Sequence, residues 1–400
     1  MSGPLSGMKV LDITRVVAGP FCSMMLADLG ATVIKVESPD EPDYVRTFPP
    51  MMGTGPDRIS GFFAQYNRNK MGITINLSSE EGKKLFKDLA AKVDVVLENF
   101  RPGVMKKLGV GYEVLSAINP SLVYAAISGY GQTGPYSRRP AYDNSGQATS
   151  GLWSINGYPD RPPVRVGTII GDISATLFGT IGILAAYHHA KSTGQGQMVD
   201  VAQLDSTFAL TESAVVKYTM ANEIQGCLGN LHPFVYPYEL FNAKDGYIFF
   251  GGYTDKFFKL TCEFFKEPEF AELPETKTMQ ARFDQKNYNG LIKPKLEDWF
   301  SRYTAAELEE GLAELVPLSK INNIADAIND PQINSRNMVI SSQYPEGEIR
   351  SFGQPIKLEK TPCNTSGLAP KVGEHNGKIF SEYLGLSEHE INELKAKGAI

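Results

Sequence analysis

Residues 9–37 of the sequence read KVLDITRVVAGPFCSMMLADLGATVIKVE. Residues 10–14 form a short apolar run, residues 18–29 have helical spacing, and Thr32–Glu37 is rich in β-branched side chains. Short apolar runs predict strands, and an apolar residue every three or four positions predicts a helix. The order strand, helix, strand predicts the unit from which parallel sheets are built.

The same alternation continues downstream. Ser78 and Glu81 have the spacing of a capping box, which predicts a helix that runs to about Lys92. Residues 94–97 and 122–128 are apolar enough to predict two further strands. We therefore expect an α/β protein with a doubly wound parallel sheet.

A change of composition near residue 225 predicts a domain junction. Residues 222–238 are rich in Gly, Pro, Asn and aromatic residues. Beyond them, residues 246–252 are predicted as a strand that ends in Gly251 and Gly252, and residues 255–315 as charged helices. Two further capping boxes are predicted, at Thr304 with Glu307 and at Ser387 with Glu390.

Composition excludes several classes of protein. The 400 residues, with a net charge of −6, give no strongly basic surface, so neither nucleic acid nor an anionic membrane is an expected partner. The four cysteines form no CxxC pair, and we expect free thiols in a reducing compartment and no metal site. The start of the chain has no pattern of a secretion signal. The apolar residues 164–187 are interrupted by Arg165 and Asp172, which argues against a membrane span. A cytoplasmic protein is the expectation.

A nucleotide-binding interpretation of the first strand–helix turn is disfavoured. Dinucleotide sites need G-x-G-x-x-G there, so that the backbone can approach the pyrophosphate. Residues 14–20 instead read TRVVAGP, with a single glycine. An NAD-dependent dehydrogenase would also change the absorbance of its cofactor, which we do not expect.

Asp172 is the unusual side chain of the sequence. It lies in VGTIIGDIS, residues 166–174, between apolar residues and the start of an apolar helix. It could be a helix N-cap that accepts backbone N–H groups, or a nucleophilic carboxylate held at a helix N-terminus. None of the five histidines has the spacing of a catalytic or metal site. A carboxylate, with an ordinary pKa of about 3.9, is ionised without a histidine base and can form covalent intermediates.

A series of short motifs, in order along nearly the whole chain, resembles the class III CoA-transferase family, also called the carnitine and bile-acid CoA-transferase type. The motifs are residues 4–12 (PLSGMKVLD), 18–20 (AGP), 26–31 (LADLGA), 33–37 (VIKVE), 67–70 (NRNK), 98–103 (ENFRPG), 128–131 (SGYG), 142–143 (YD), 147–148 (QA), 150–151 (SG), 171–172 (GD), 194–197 (GQGQ), 199–202 (VDVA) and 373–375 (GEH). The resemblance implies a large Rossmann-like domain built from both chain ends, a smaller α+β domain, and an interlocked homodimer. With the junction near 225, it implies domains at residues 1–225, 226–330 and 331–400.

The resemblance also implies a mechanism. Asp172 matches the catalytic aspartate, which attacks an acyl-CoA to give a mixed anhydride and then an aspartyl-CoA thioester. Asp143 matches an acidic position near the active site. Gly251 and Gly252 resemble a glycine loop that covers the site in relatives, although a plain turn after a strand explains them equally well.

CoA is implied as a substrate, and no tightly bound cofactor is expected. Cations near the phosphates and a shaped slot for the adenine and pantetheine are what CoA binding needs. For any one charged residue, a solvated surface position is the alternative. The positions that match CoA-binding positions are Val16, Ala18, Lys35, Asn99, Phe100, Arg101 and Lys107, with Arg138 and Arg139 added for their place in the sequence.

Two alternatives and one departure remain. An α-methylacyl-CoA racemase would share the fold, but Tyr142 stands where those relatives carry a histidine, and tyrosine is a poor base at neutral pH. A non-catalytic CoA-binding module would bind the ligand without a covalent adduct. Val17 stands where oxalate-specific members carry a glutamine, which favours a bulkier, less polar acyl group. The sequence leaves the donor and acceptor acids open.

Overall fold

The computed structural model describes residues 3–55 and 58–400. The chain divides into two compact units. The first holds the residues up to Trp153, Arg165–Glu223 and Pro331–Ile400, and the second holds Ser154–Val164 and Ile224–Asp330. The first unit therefore combines both ends of the described chain. The domain boundaries given above stay a prediction, and they do not separate Ser154–Val164 from its neighbours.

The strands of the described residues are short, as expected from the apolar runs. In chain order they are β1 Lys9–Asp12, β2 Thr32–Glu37, β3 Met51–Met52, β4 Ile59–Ser60, β5 Lys70–Thr74, β6 Val95–Glu98, β7 Val123–Ser128, β8 Met198–Ala202, β9 Glu239–Asn242, β10 Tyr247–Phe250, β11 Leu318–Lys320, β12 Val339–Tyr344 and β13 Gly347–Phe352.

The largest sheet has six parallel strands in the order β5-β2-β1-β6-β7-β8. In β1, Leu11 pairs with Ile34 of β2 on one side and with Val96 of β6 on the other. The strand order runs outward from β1 in both directions, which is the hallmark of a doubly wound sheet. The predicted parallel α/β architecture is confirmed.

Helices lie on both faces of this sheet and also build much of the second unit. In chain order they are α1 Ala18–Asp28, α2 Gly61–Asn67, α3 Glu80–Ala90, α4 Val104–Lys107, α5 Tyr112–Ile118, α6 Asp143–Thr149, α7 Leu152–Ile155, α8 Ile170–Thr193, α9 Gln203–Phe208, α10 Ala214–Ala221, α11 Asp255–Phe264, α12 Met279–Phe283, α13 Gln285–Asn287, α14 Lys293–Ser301, α15 Ala305–Leu312, α16 Ile324–Ala327, α17 Pro331–Ser335, α18 Asn376–Leu384 and α19 Glu388–Ala396.

Two apolar cores cover the two faces of the sheet. Neighbouring residues of β1 point to opposite faces, so Val10 packs with α1 and α8 while Leu11 packs with α3, α5 and α18. Strands buried on both faces are apolar at successive positions, as Val10 and Leu11 are in β1. The second unit has its own core around Trp299, with the antiparallel sheet β11-β10-β9.

The capping boxes are partly as predicted. Those at Thr304 with Glu307 and at Ser387 with Glu390 are confirmed. The prediction at Ser78 is wrong by one residue, because Ser79 caps α3 and accepts a hydrogen bond from the Gly82 N–H.

Helix α8 is, among the described residues, long and apolar enough to cross a membrane by length and composition. Half of its most apolar window is buried within the protein. The hydroxyl of Thr176 donates to the Ala18 carbonyl oxygen at 2.8 Å, which fixes α8 against the start of α1. Length and composition alone do not distinguish a core helix from a membrane span, and one side of α8 packs in the core against α1.

The C-terminal segment, defined here as residues 367–376, runs along the outer edge of β5. The Gly72 N–H donates to His375 Nδ1 at 3.1 Å, and the His375 N–H donates to the Gly72 carbonyl oxygen at 2.8 Å. The Thr74 N–H donates to Asn376 Oδ1 at 2.8 Å. Unpaired groups on an edge strand invite pairing with another chain, and this segment occupies them.

Candidate active site

The turn after β1 has an unusual backbone. Val16 has φ = +70°, a conformation that is rare for a β-branched residue. Its N–H donates to the Asp43 carboxylate, with N–O distances of 3.1 and 3.3 Å. The Lys35 ammonium donates to the Thr14 carbonyl oxygen at 2.9 Å and lies 3.6 Å from Asp43. These contacts offset a backbone strain of about 1–3 kcal/mol and hold the turn in one shape.

A buried ion pair stabilises the end of β1, directly before this turn. Lys70 and Asp12 lie 3.0 Å apart, and both side chains are fully buried. Burial lowers the pKa of Lys70 to about 8. Asp12 also accepts hydrogen bonds from Thr14 and Ser23, so the end of β1 is fixed by several polar contacts.

Asn99 ties the end of β6 to this turn. Its side-chain amide accepts from the Arg15 N–H at 2.9 Å and donates to the Arg15 carbonyl oxygen at 2.7 Å. The ends of β1 and β6 meet where the strand order changes direction. In open α/β sheets, ligands bind in the crevice at this point.

A cavity of about 170 Å³ lies at this crevice. Its lining includes Arg15, Val36, Ser38, Leu77 and Phe100. The Arg15 guanidinium lies over the Phe100 ring, 5.8 Å from its centre. The cavity therefore combines a cation, an aromatic face and apolar walls.

The other residues predicted to bind CoA lie at different depths. Arg101 is exposed beside Phe100, and Lys107 is exposed at the end of α4. Arg138 and Arg139 are exposed in the loop after β7, and the Arg139 guanidinium stacks on Tyr136, 3.6 Å from the ring centre. Lys35 is fully buried, and its ammonium faces protein oxygens.

Asp172 lies in the first turn of α8, two residues beyond the helix start, and the N-cap position belongs to Ile169. The N-cap interpretation of Asp172 is therefore wrong. The N–H groups at this end are taken by another carboxylate: Asp143 Oδ1 accepts from Gly171 at 2.7 Å and from Asp172 at 3.2 Å. Asp172 Oδ1 instead accepts from the side-chain amide of Gln203.

The environment of Asp172 changes its acidity. Burial, and then the charge of Asp143, raise the pKa of Asp172 to about 7, and the hydrogen bond from Gln203 acts in the opposite direction. Asp172 therefore titrates near neutrality, whereas the sequence alone suggested a fully ionised carboxylate. Shifted carboxylates of this kind are concentrated in functional sites.

Asp143 is itself held firmly. It is the first residue of α6, 7% exposed, and it also accepts from the Gln147 amide at 2.7 Å. The oxygen of that amide accepts from the Trp153 indole at 2.9 Å. A Cβ at Gly171 would lie 2.9 Å from Asp143 Oδ1, so this approach requires glycine before Asp172.

The two parts of the site adjoin through α8. Residues four apart lie on one face of a helix, so Asp172 and Thr176 share a face. Thr176 bonds to Ala18, and Asp172, one turn nearer the start of α8, therefore lies near the start of α1. Burial, and then the charge of Asp172, raise the pKa of Tyr66.

Gly251 and Gly252 follow β10 in the second unit. The Gly251 N–H donates to the Pro317 carbonyl oxygen at 2.8 Å. A Cβ at Gly252 would lie 2.1 Å from the Phe250 ring, so the turn itself requires glycine there. Their role at the active site stays a prediction.

Sequence reasoning missed Gln203. It is the first residue of α9 and follows directly on the VDVA motif at residues 199–202, which was the only signal of it. Among the described residues, no group of three or more His, Cys, Asp or Glu side chains could hold a metal ion.

Comparisons with known proteins agree across the chain. The profile of CoA-transferase family III matches residues 5–376. The chain is 38% identical to a succinyl-CoA–D-citramalate CoA-transferase of Chloroflexus aurantiacus, over 99% of this chain and 98% of the relative. It is 36% identical to a succinyl-CoA:mesaconate CoA-transferase of Haloarcula marismortui and 37% identical to an acetyl-CoA:oxalate CoA-transferase of Acetobacter aceti, in both cases over 95% of this chain and 96% of the relative. A crystal structure of a CAIB/BAIF family protein from Brucella suis has a TM-score of 0.84, with 34% identity, over 96% of this chain and all of that one.

Proposed function

The chain belongs to CoA-transferase family III and is an acyl-CoA:carboxylate CoA-transferase, and we propose that Asp172 is the nucleophile that carries CoA between the two acids. The observation that carries the proposal is the position of its carboxylate. It lies near the start of α1, because Thr176, one turn along α8, bonds to Ala18; one of its oxygens is held by Gln203, and its pKa is about 7. Such a group is available as an anion at neutral pH and is only weakly solvated.

The reaction needs four attacks and no net proton. Asp172 attacks the donor acyl carbon, the C–S bond breaks, and CoA thiolate leaves from a mixed anhydride. The thiolate attacks Asp172 Cγ and expels the donor acid, which leaves an aspartyl-CoA thioester. The acceptor carboxylate then attacks Cγ and expels the thiolate, which finally attacks the acceptor acyl carbon and frees Asp172.

Asp143 has two roles in this proposal. Its contacts to the N–H groups of Gly171 and Asp172 fix the start of α8 and hence the direction of the nucleophile. Its charge also raises the pKa of Asp172, and a carboxylate of higher pKa is a stronger nucleophile once ionised.

CoA would bind along the crevice at the ends of β1 and β6. The cavity beside Arg15 and Phe100 suits a flat ring, and its volume of about 170 Å³ is enough for one part of a large ligand only. Val16, Ala18 and Asn99 shape the edge of the crevice. Exposed Arg101 and Lys107 lie free to approach phosphates, with Arg138 and Arg139 as further cations. The buried Lys35 would act by holding the Val16 turn.

Water must be excluded, because both intermediates are open to hydrolysis. Gly251 and Gly252 are proposed to cover the site during the reaction.

A homodimer is also proposed, and exposed apolar side chains of α8 and α10 support it: Ile181 is 63% exposed and Met220 is 83% exposed. We propose a cytoplasmic enzyme with no tightly bound cofactor.

The substrates of the relatives guide the choice of acids. Two relatives are named for succinyl-CoA as donor and for D-citramalate or mesaconate, which are dicarboxylic acids, as acceptor. We propose succinyl-CoA as donor and a dicarboxylic acid of similar size as acceptor. Val17 is buried and offers no side-chain hydrogen bond, which is compatible with an acceptor larger than oxalate.

The test is a trapping experiment with a panel of acyl-CoAs. The protein is mixed with each donor and then with hydroxylamine or borohydride, and the modified residue is identified by peptide mass spectrometry. We expect donor-dependent modification of Asp172, and none in Asp172→Asn. Asp88→Asn is the matched control: Asp88 lies on α3 with a partly exposed carboxylate that pairs with Lys84, and this variant should react normally.

The outcomes separate the alternatives. CoA binding without an adduct for any donor would support a binding module. Rapid exchange of the α-proton of a 2-methylacyl-CoA in heavy water, again without an adduct, would support a racemase.

A further inference from the structure

Among the described residues, Gln203 makes the only hydrogen bond to the Asp172 carboxylate. The residue is 8% exposed, and its amide nitrogen donates to Asp172 Oδ1. The other carboxylate oxygen, Asp172 Oδ2, has no hydrogen-bond partner among the described residues. One oxygen is therefore fixed while the other is open to react.

The backbone around Gln203 holds the amide in place. The Leu204 N–H donates to the Gly129 carbonyl oxygen at 3.0 Å, which joins the start of α9 to the end of β7. The Thr207 hydroxyl donates to the Gln203 carbonyl oxygen at 2.7 Å. A donor that is fixed before the reaction begins stabilises developing charge without a cost of reorganisation.

The usual donors at a helix start are not available here. Backbone N–H groups in the first turn of a helix commonly bind anions. In α8, those of Gly171 and Asp172 are directed at Asp143. A negative charge that forms on the Asp172 side chain must therefore be met by another group.

We propose that Gln203 is a catalytic residue that stabilises the oxyanion formed on Asp172 Oδ1 when Cγ is attacked. This inference rests on the covalent mechanism proposed above. It concerns the two middle steps of the cycle, in which Cγ of Asp172, rather than the acyl carbon of a substrate, is the electrophile.

The electron balance identifies where the charge appears. When CoA thiolate attacks Cγ of the mixed anhydride, a C–S bond forms and the electron pair of the C=O bond moves onto Oδ1. The tetrahedral intermediate collapses as the pair on Oδ1 re-forms the C=O bond. The Cγ–Oδ2 bond breaks, and the donor acid leaves as a carboxylate that carries Oδ2 and the electron pair of the broken bond. The acceptor carboxylate repeats the sequence at Cγ and expels thiolate. In both steps the amide N–H donates to Oδ1 and keeps its proton.

A neutral amide suits this task. It donates to the carboxylate, to the oxyanion and to the thioester oxygen in turn, without a change of charge. A lysine or arginine would form an ion pair with resting Asp172 and stabilise the ground state as well, which would not lower the barrier.

The experiment measures the aspartyl-CoA adduct directly. Wild-type enzyme and Gln203→Leu are mixed with succinyl-CoA in the absence of acceptor, quenched at short times, and assayed by peptide mass for CoA on Asp172. Loss of one oxyanion donor slows the reaction about 10²–10³-fold, and we expect a decrease of that size in the rate of adduct formation. Binding of CoA should be unchanged.

A pH profile distinguishes this role from a structural one. The Gln203 hydrogen bond lowers the pKa of Asp172, so the acid limb of the adduct rate should move to higher pH in Gln203→Leu. Gln203→Glu keeps the shape, replaces the donor with an acceptor, and provides the same test if the leucine variant does not fold. Gln354→Leu removes another buried glutamine, which contacts Asp28, and should have the wild-type rate and profile.

The outcomes are separable. If wild-type enzyme forms no adduct while it transfers CoA, the covalent mechanism itself is refuted. If wild-type enzyme forms the adduct and the Gln203 variants form it at the same rate with the same pH limb, the mechanism stands and the role of Gln203 is refuted.

Discussion

Replacing Asp172 by asparagine should stabilise the protein at alkaline pH, although it abolishes activity. Burial and the charge of Asp143 both oppose ionisation of Asp172, so its ionised form weakens the fold. Asparagine has nearly the shape of the protonated acid and can still accept the hydrogen bond from Gln203. A catalytic group held in an unfavourable environment commonly lowers stability.

The magnitude follows from the shift in acidity. The pKa rises from 3.8 to about 7, and each pKa unit corresponds to about 1.4 kcal/mol. The ionised group therefore costs at most about 4 kcal/mol of the free energy of unfolding. Because the folded pKa is the higher one, this loss is absent below pH 3.8, grows as pH rises, and is complete above pH 7. The variant and the wild type should be equally stable near pH 4 and differ most at pH 8.

Two buried cysteines provide the assay. Cys22 of α1 lies 3.4 Å from the Thr180 hydroxyl of α8, so its exposure reports opening of the first unit. Cys262 is buried in α11 of the second unit. Labelling of both thiols across a urea series, read by peptide mass spectrometry at pH 5 and pH 8, gives a separate midpoint for each. We expect a higher Cys22 midpoint at pH 8 in Asp172→Asn, with no change at Cys262.

Asp143→Asn provides the contrast, because it removes an acceptor instead of an unfavourable charge. The side-chain nitrogen of asparagine would face the Gln147 amide, whose oxygen is already bonded to Trp153. Loss of this buried bond should lower the free energy of unfolding by about 1–3 kcal/mol at pH 5.

Equal Cys22 midpoints for wild type and Asp172→Asn at pH 8 would refute the view that Asp172 is held in an unfavourable environment.

Three further results are expected. In pH profiles of kcat/KM for succinyl-CoA, activity should fall below about pH 7 as Asp172 is protonated, and Asp143→Asn should move this limb to lower pH because it removes a neighbouring negative charge. Asn99→Ala breaks both hydrogen bonds to the turn after β1 and should raise the Kd of CoA about tenfold by calorimetry, since each hydrogen bond contributes about 0.5–1.5 kcal/mol. The aspartyl-CoA adduct should still form, and an unchanged Kd would contradict the placement of CoA in this crevice. Lys70→Met leaves Asp12 buried without its cation and should lower the free energy of unfolding by about 3–5 kcal/mol in the Cys22 urea assay. The double variant with Asp12→Asn should regain most of that stability. If it does not, the loss of the ion pair is not the cause.

Much of the fold could be predicted from the sequence, because strands and helices produce patterns between residues that are close along the chain. Strands are rich in β-branched residues, and β2 is found at Thr32–Glu37, where those residues predicted it. Capping is harder to place, since Ser78 and Ser79 are adjacent and only the path of the chain decides which hydroxyl meets the helix.

The site was readable only in part, because its contacts join distant positions. The GD motif pointed to Asp172, but the cap on α8 comes from Asp143, 28 residues before Gly171. Gln203 lies 31 residues after Asp172 and belongs to another helix. The burial of Lys35 depends on the folding of the Val16 turn around it. No spacing rule links such residues, so the acidity and orientation of the nucleophile appear only in three dimensions.

The C-terminal segment along β5 has a consequence for biosynthesis. A chain made from its N-terminus can form the helices and strands of the parallel sheet well before residues 367–376 leave the ribosome. Until then Gly72 and Thr74 lack the partners that His375 and Asn376 provide. The nascent protein therefore presents an open strand edge for most of its synthesis, and chaperones that bind extended segments would protect it most in that interval. A stop codon before residue 367 would make this temporary exposure permanent and turn a truncated product toward aggregation.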